Sequence, residues 1–366
     1  MTNLSRREAL KLGASALAVS AVAVPTRALA QQTVLRIGHV LAATHQFQLG
    51  LELAAKSVDA ATSGRVKIEV FPSSQLGTER DMNVAIRTGG IEGTLASPGG
   101  ASVHLKELAI LDAPYLFRNN AHWEAVVYGP IGEEWGRKIV EQSGVHIIGW
   151  FHRGTRHVLS RGAAYNTIAD IKDQKVRVAD LPPYPQVFQS FGAIPTPIAF
   201  AEMYSALETG VVDGADAPLD TMLSQKLFEV SKFVNLIAWS FAAPGPILLS
   251  DAAWQSLSAE DQQALVAAVR EGSQLVTDAF TNGEENVKAQ LTAAGMTLST
   301  PTDLPACAPR ASPPGAATPI GYPLVNRWPT AQLRAPLRGQ QIAVHLAARW
   351  LLLAPPVRHR SHQTRC

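Results

Sequence analysis

An α/β protein in two packed lobes is the fold this sequence predicts, and three observations carry it. A strand, a helix and a second strand succeed one another between Val34 and Phe71. The same alternation of short strands and amphipathic helices continues to about Gly295. Residues 31 to 366 are, finally, too many for one compact core of ordinary domain size.

The elements follow in order. Val34 to Val40 alternates as a half-buried strand does, and Phe47 to Thr62 then carries apolar residues at helical spacing, closed by Ser63-Gly64. Arg65 to Phe71 alternates again and stops at Pro72, so the first unit has the pattern of parallel strands joined by a crossover helix. After a turn at Gln75-Leu-Gly77, a helix runs through Arg87 to Gly89-Gly90, followed by a short strand from Gly93 to Ala96. Val145 to Trp150 and Val176 to Val178 read as strands, the latter after a charged helix around Asp170 to Lys175. Ala201 to Thr209 reads as a helix ended by Gly210, with Gly210 to Gly214 taken as helix stop and turn. Phe233 to Trp239 and Ile247 to Ser250 are the last strands, and Ser258 to Gly295 is mostly one long amphipathic helix opened by a capping box at Ser258-Ala-Glu-Asp261.

Both ends differ from this body. Ser5-Arg6-Arg7 and Lys11 precede an apolar run from Leu12 to Val24 and the small-residue exit Ala28-Leu29-Ala30, which reads as an export signal cleaved after Ala30. The paired arginines resemble the twin-arginine signal and imply a periplasmic destination. From Pro301 onward, 66 residues contain eleven prolines, eight arginines, no lysine and one aspartate. Such a tail is either a Pro-rich extension that cannot bury enough apolar surface to order itself, or a native end replaced by a change of reading frame. The abruptness of the break favours the second. A run from Ile342 to Leu353 is compatible with a helix.

Charge and cysteines narrow the function. Residues 31 to 300 carry 20 basic and 28 acidic side chains, which argues against nucleic acid, because a binder of phosphate backbone needs a basic face. Cys307 and Cys366 both fall in the tail, so the body has no thiol nucleophile, cysteine metal site or disulfide framework. It also lacks a phosphate-cradling glycine loop and a G-x-S-x-G elbow. His104, His122, His146, His152 and His157 form no metal-ligand spacing, and His152 and His157 read as wall residues near a strand pair. No cofactor, no metal and no catalysis are expected. The alternative is an exported periplasmic enzyme, which bound metal or turnover would reveal.

Several stretches between Val34 and Met296 together resemble the solute-binding proteins of tripartite ATP-independent periplasmic (TRAP) transporters, the DctP family. They are Phe71-Pro-Ser-Ser-Gln-Leu-Gly77, Asp112-Ala-Pro-Tyr-Leu-Phe117, Trp150 to Arg156, Lys175-Val-Arg177-Val, Gly192 to Pro197, and Ala199 to Leu207 with Val212-Asp-Gly214, Pro218-Leu219 and Gln225 to Val230. That resemblance implies a two-lobed periplasmic binding protein fold, with a ligand cleft enclosed at the hinge and a long helix bridging the lobes. Lobe I is expected at residues 31–154 plus about 243–282, and lobe II at 155–242 plus about 283–300. The implied partners are a small carboxylate-containing ligand and the TRAP membrane permease. A periplasmic sensor would use the same binding step.

By the same resemblance, Arg177 holds the ligand carboxylate, Arg156 lies beside the same ligand, and Phe200 packs against it. Arginine suits the role, because its planar fork makes two parallel hydrogen bonds to a carboxylate and stays charged. Arg153 is read instead as a solvated loop charge. Ser97, His39 and Thr44 lie in loops after strand ends, where open α/β sheets place ligands, and Tyr184 in Pro182-Pro-Tyr-Pro185 is a further candidate. One departure bears on specificity. Where many relatives have an acid and then an asparagine before Pro-Leu, this chain reads Asp216-Ala217-Pro218-Leu219, leaving Asp216 to accept from a ligand hydroxyl or a positioning arginine.

Overall fold

The structure is a computed structural model, and it describes residues 32–241 and 243–303. The export signal, the cleavage point after Ala30, both cysteines and nearly all of the Pro-rich tail therefore lie outside the described residues.

Strand β1 (Thr33–Gly38) leads into helix α1 (Gln46–Ala61), whose first turn is capped by the His45 ring accepting from the Phe47 N–H. Phe47, Leu51, Ala54 and Val58 form its buried stripe, at the spacing of one helix face. The chain returns as β2 (Val66–Phe71), parallel to β1. Helix α2 (Glu79–Arg87) opens with a complete capping box between Thr78 and Asp81 and precedes β3 (Gly93–Leu95). A one-turn helix α3 (Pro98–Ala101), a 3-10 turn (Lys106–Asp112) and helices α4 (Asn120–Val127) and α5 (Pro130–Ser143) follow, then β4 (Val145–His152).

Strand β5 (Arg156–Ser160) begins a second sheet. Next come β6 (Lys175–Val178), α6 (Tyr184–Ser190), β7 (Ile194–Pro197), α7 (Met203–Glu208), β8 (Gly214–Pro218), α8 (Leu219–Ser224) and β9 (Phe233–Ser240). Strand β10 (Pro244–Ser250) lies in the first sheet, followed by α9 (Asp251–Gln255), the long helix α10 (Ala259–Ala293) and β11 (Thr297–Ser299).

The first sheet has the order β2-β1-β3-β10-β4 and the second β11-β9-β5-β8-β6-β7. Two chain passages join them. β4 runs into β5 through residues 153–155, and β9 runs into β10 through residues 241–243, with His152 opposite Pro244 and Arg156 opposite Ser240. Each sheet is covered on both faces, which gives four apolar clusters rather than one core. Helix α10 has 35 residues, a span of about 50 Å at 1.5 Å per residue. It packs on α1 and β4 of the first sheet's half and on α8 and β11 of the second's. The crossing with α1 is backbone on backbone. A Cβ on Gly272 would stand 2.2 Å from the Gly50 carbonyl oxygen, so only glycine fits there.

Some local expectations change. The charged segment before β6 is not a helix but a single 3-10 turn, Ile168–Ile171, because Asp173 takes a positive φ of 60° and breaks the run. The predicted helix from Ala201 divides into a 3-10 turn (Phe200–Glu202) and α7. Gly214, read as part of a turn, instead starts β8, every residue of which is buried between β5 and β6. At the start of α10, Ser258 accepts from the Asp261 N–H as foreseen, while the Asp261 carboxylate takes the Ser258 hydroxyl and Arg65.

Candidate ligand-binding cleft

A cavity of about 300 Å³ lies between the two sheets. His39, Ser97, Arg156, Arg177, Tyr184 and Phe200 all line it, so six of the eight candidate residues converge on one space. Asp216 stands directly behind the wall. Thr44 does not belong to the group: it is exposed and lines a second cavity of about 620 Å³ that shares only His45 and Pro218 with the first.

Arg177 sits in β6 between β7 and β8, with Val176 and Val178 turned to the apolar cluster and the guanidinium to the cavity side. It is 2 % exposed. Its Nε and Nη2 donate to the Ile198 carbonyl at 3.0 and 2.7 Å, and Nη1 approaches the Met203 sulfur at 3.8 Å. The guanidinium carbon lies 5.9 Å from the Phe200 ring centre. Among the described residues no carboxylate forms an ion pair with it. Burial, only partly offset by the Asp216 charge and reinforced by Arg156, pushes Arg177 down to about 10.

Arg156, at the start of β5, has the opposite environment. Its Nε donates to Asp216 Oδ2 at 2.7 Å, Nη2 reaches the same carboxylate and the Asp216 carbonyl, and the guanidinium lies over the Tyr184 and Trp239 rings. The antiparallel pairing of β5 and β8 puts both residues near the same end of neighbouring strands. Burial works against the Arg156 charge, but the Asp216 carboxylate, Tyr184 and Asp112 together outweigh it and the pKa rises.

Tyr184 opens α6 and donates its hydroxyl to Asp112 Oδ1 at 3.1 Å. Asp112, fully buried, also accepts from the Gly99 N–H at 2.9 Å through Oδ2, and burial raises its pKa. Ser97 caps α3 by accepting from Gly100, and its own N–H donates to the Glu79 carboxylate. His39 is neutral: its Nδ1 accepts from the Leu41 N–H, so Nε2 carries the proton and donates to Gln48 at 2.8 Å. Burial holds His39 down to about 4.

Further charged residues line the cavity beyond the candidates. Arg153, expected to be solvated, is half-buried in the cavity, with Nη1 3.5 Å from the Tyr184 hydroxyl. Glu79 faces the same space from the first turn of α2. At the mouth, Arg80 of α2 donates to the Asp180 carboxylate at 3.0 Å and to its carbonyl at 2.7 Å, linking the first half to the loop after β6. Both side chains are more than half exposed, so the pair adds little stability of its own. Deeper in, a Cβ on Gly99 would lie 2.2 Å from the Pro182 carbonyl oxygen, so the two walls touch there as well.

Two α/β halves joined by paired strand crossings, with an arginine-lined cavity between them, define a two-lobed binding protein. The chain belongs to the bacterial extracellular solute-binding protein family 7, DctP, which it matches over residues 37–313. The matched stretch runs past Pro301, where the composition changes. A solute-binding protein of Verminephrobacter eiseniae is 34% identical over 269 residues, covering 74% of this chain and 80% of that one. A TRAP periplasmic solute-binding protein from Polaromonas sp. JS666, bound to D-erythronate, superposes with a TM-score of 0.71 at 30% identity, covering 74% of this chain and 89% of that one. Another, from Roseobacter denitrificans with bound L-galactonate, gives 0.70 at 28% identity, covering 74% and 90%. The family consists of binding proteins rather than enzymes, and so this chain is a solute-binding protein of the TRAP type.

Proposed function

We propose that this chain captures a small organic acid outside the cytoplasm, clamps its carboxylate on Arg177, and delivers it to the TRAP membrane permease. One observation carries the reading. Arg177 is a buried guanidinium whose hydrogen bonds go to a neutral carbonyl, while no acidic side chain among the described residues pairs with it. A charge removed from water without an opposite charge is expensive, so the site is built to be completed by an anion. The organic acids bound by the similar Polaromonas and Roseobacter proteins support that anion's being a carboxylate. Arg156 serves as a positioning residue: held by Asp216, it adds positive field and a rigid wall.

Capture follows from the architecture. Lobe I comprises residues 31–154 and about 243–282, and lobe II residues 155–242 and about 283–300, with residues 153–155 and 241–243 as the hinge. Open and closed arrangements interconvert, and a ligand that touches both lobes stabilises the closed one by its differential affinity. The permease then recognises the closed surface. Export uses the twin-arginine route, with cleavage after Ala30 and a periplasmic destination; Arg6 and Arg7 support this reading.

A thermal-shift screen of the mature chain against small organic acids, run beside Arg177→Ala, tests the proposal. A ligand at about 100 times its dissociation constant stabilises the folded state by about 2.7 kcal/mol. An acid that stabilises the wild type and leaves the variant unmoved is the expected result; an equal response from both removes Arg177 from the role.

A further inference from the structure

Four arginines line the cavity: Arg80, Arg153, Arg156 and Arg177. Against them stand Glu79, Asp180 and Glu202 on the wall, with Asp112 and Asp216 buried behind it. Acids therefore outnumber arginines before any ligand enters, and neutral His39 adds no charge. Arg156 is held by Asp216, and Arg80 by Asp180. Arg153 lies beside Tyr184 in the field of Asp112 and Glu79, and Arg177 lies in the field of Asp216 and Glu79; neither forms an ion pair among the described residues. Arg177 takes the ligand carboxylate, and what can lie against Arg153 is set by the Glu79 charge that acts on it.

Glu79 decides what the rest of the ligand must be. Its carboxylate accepts the Ser97 N–H and faces the cavity, half-buried, in the first turn of α2. An ionised carboxylate only accepts, so it is satisfied by a ligand hydroxyl, which can donate, and opposed by a ligand carboxylate, which cannot. Arg153 lines the same cavity and supplies donors, from which a hydroxyl can also accept. Sites that hydrogen-bond a ligand hydroxyl discriminate strongly, because the analogue without it strands buried polar groups. The cavity's 300 Å³ is the space of about ten waters at roughly 30 Å³ each, which suits a short hydroxylated carbon chain.

We propose that Glu79 is a specificity-determining residue that restricts this cleft to hydroxyl-rich monocarboxylates of the aldonate kind and excludes diacids. The inference rests on the Arg177 clamp and extends it to the remainder of the ligand.

Galactonate and galactarate make the comparison, since they share a carbon chain and differ by a terminal hydroxymethyl group in place of a second carboxylate. Calorimetric titration of the full mature chain is expected to give at least about tenfold tighter binding of galactonate. In Glu79→Gln the amide oxygen still accepts the Ser97 N–H, and the gap is expected to shrink to within about threefold, mainly through tighter galactarate. Equal affinities in the wild type, an unchanged gap in Glu79→Gln, or binding of succinate with neither sugar acid bound overturns the inference. If Glu79→Gln does not fold, the wild-type comparison decides alone. Arg177→Ala separates the two readings: galactonate binding that survives it sinks the clamp, whereas a lost clamp with equal wild-type affinities sinks only the role of Glu79.

Discussion

The Tyr184 hydroxyl, on the second half of the molecule, is hydrogen-bonded at 3.1 Å to Asp112 on the first, and both side chains are buried. This contact crosses the cleft, so it exists only when the walls meet. Replacing Tyr184 with phenylalanine removes the donor and leaves Asp112 with the Gly99 N–H. A hydrogen bond to a charged group is worth about 1.5–3 kcal/mol, so ligand affinity is expected to fall roughly tenfold to a hundredfold. Calorimetry measures this, and an unchanged affinity means that the contact does not stabilise closure.

The two buried arginines, the clamp Arg177 and the positioning residue Arg156, should separate by experiment. Arg156→Ala leaves Asp216 buried without its cation, at a cost of about 3–5 kcal/mol and on the order of 10 °C in melting temperature. Arg177→Ala removes an unpaired buried charge, so the ligand-free protein is expected to keep its melting temperature to within a few degrees while binding is lost. Melting curves with and without ligand distinguish the outcomes; a large loss of ligand-free stability in Arg177→Ala contradicts this division.

Gly99→Ala probes closure from another side. The added methyl would lie 2.2 Å from the Pro182 carbonyl oxygen, which holds the walls apart without touching Arg177. Affinity is expected to drop about tenfold or more, with the ligand-free melting temperature nearly unchanged. Small-angle scattering that shows full ligand-induced compaction in the variant would defeat the expectation.

Acid should weaken the fold before ordinary carboxylates titrate. Burial holds His39 and His104 each down to about 4, against 6.5 for a free imidazole. The unfolded chain thus binds these protons first, so the stability contribution is complete above 6.5 and is lost as pH falls toward 4. Each such group removes about 1.4 kcal/mol per pH unit inside that window. A melting temperature that falls steeply between about pH 6 and 4.5, and less steeply in His39→Gln, is the expected profile. A flat wild-type profile counts against neutral buried imidazoles.

How much of this was legible in the sequence depends on where each signal came from. β1, α1 and β2 were readable because Val34 to Phe71 shows both periods cleanly, with Gly64 marking the return. β8 was not, because Gly214-Ala-Asp-Ala-Pro218 is buried on both faces and has no alternation to detect. Arg177 and Arg156 were found through resemblance, and the structure brings both to the cavity. Glu79 was overlooked because an acid in a helix's first turn already has an ordinary explanation in the helix dipole. Arg153 lies in the three-residue passage between β4 and β5, where no periodicity says which way a side chain turns.

The place of β10 has a consequence for how the chain matures. It is the bridge between β3 and β4, so the first sheet stays split in two until residue 250 has been synthesised. The second sheet is not held back in this way: five of its six strands, β9-β5-β8-β6-β7, are present by residue 240, and it lacks only the three-residue edge strand β11. The second half can therefore pair its strands while the first is still split, and the pairing that completes the first is long in sequence and slow to form. Ribosome-bound intermediates truncated before residue 244 should remain protease-sensitive in the first half, with resistance there appearing only once β10 has emerged.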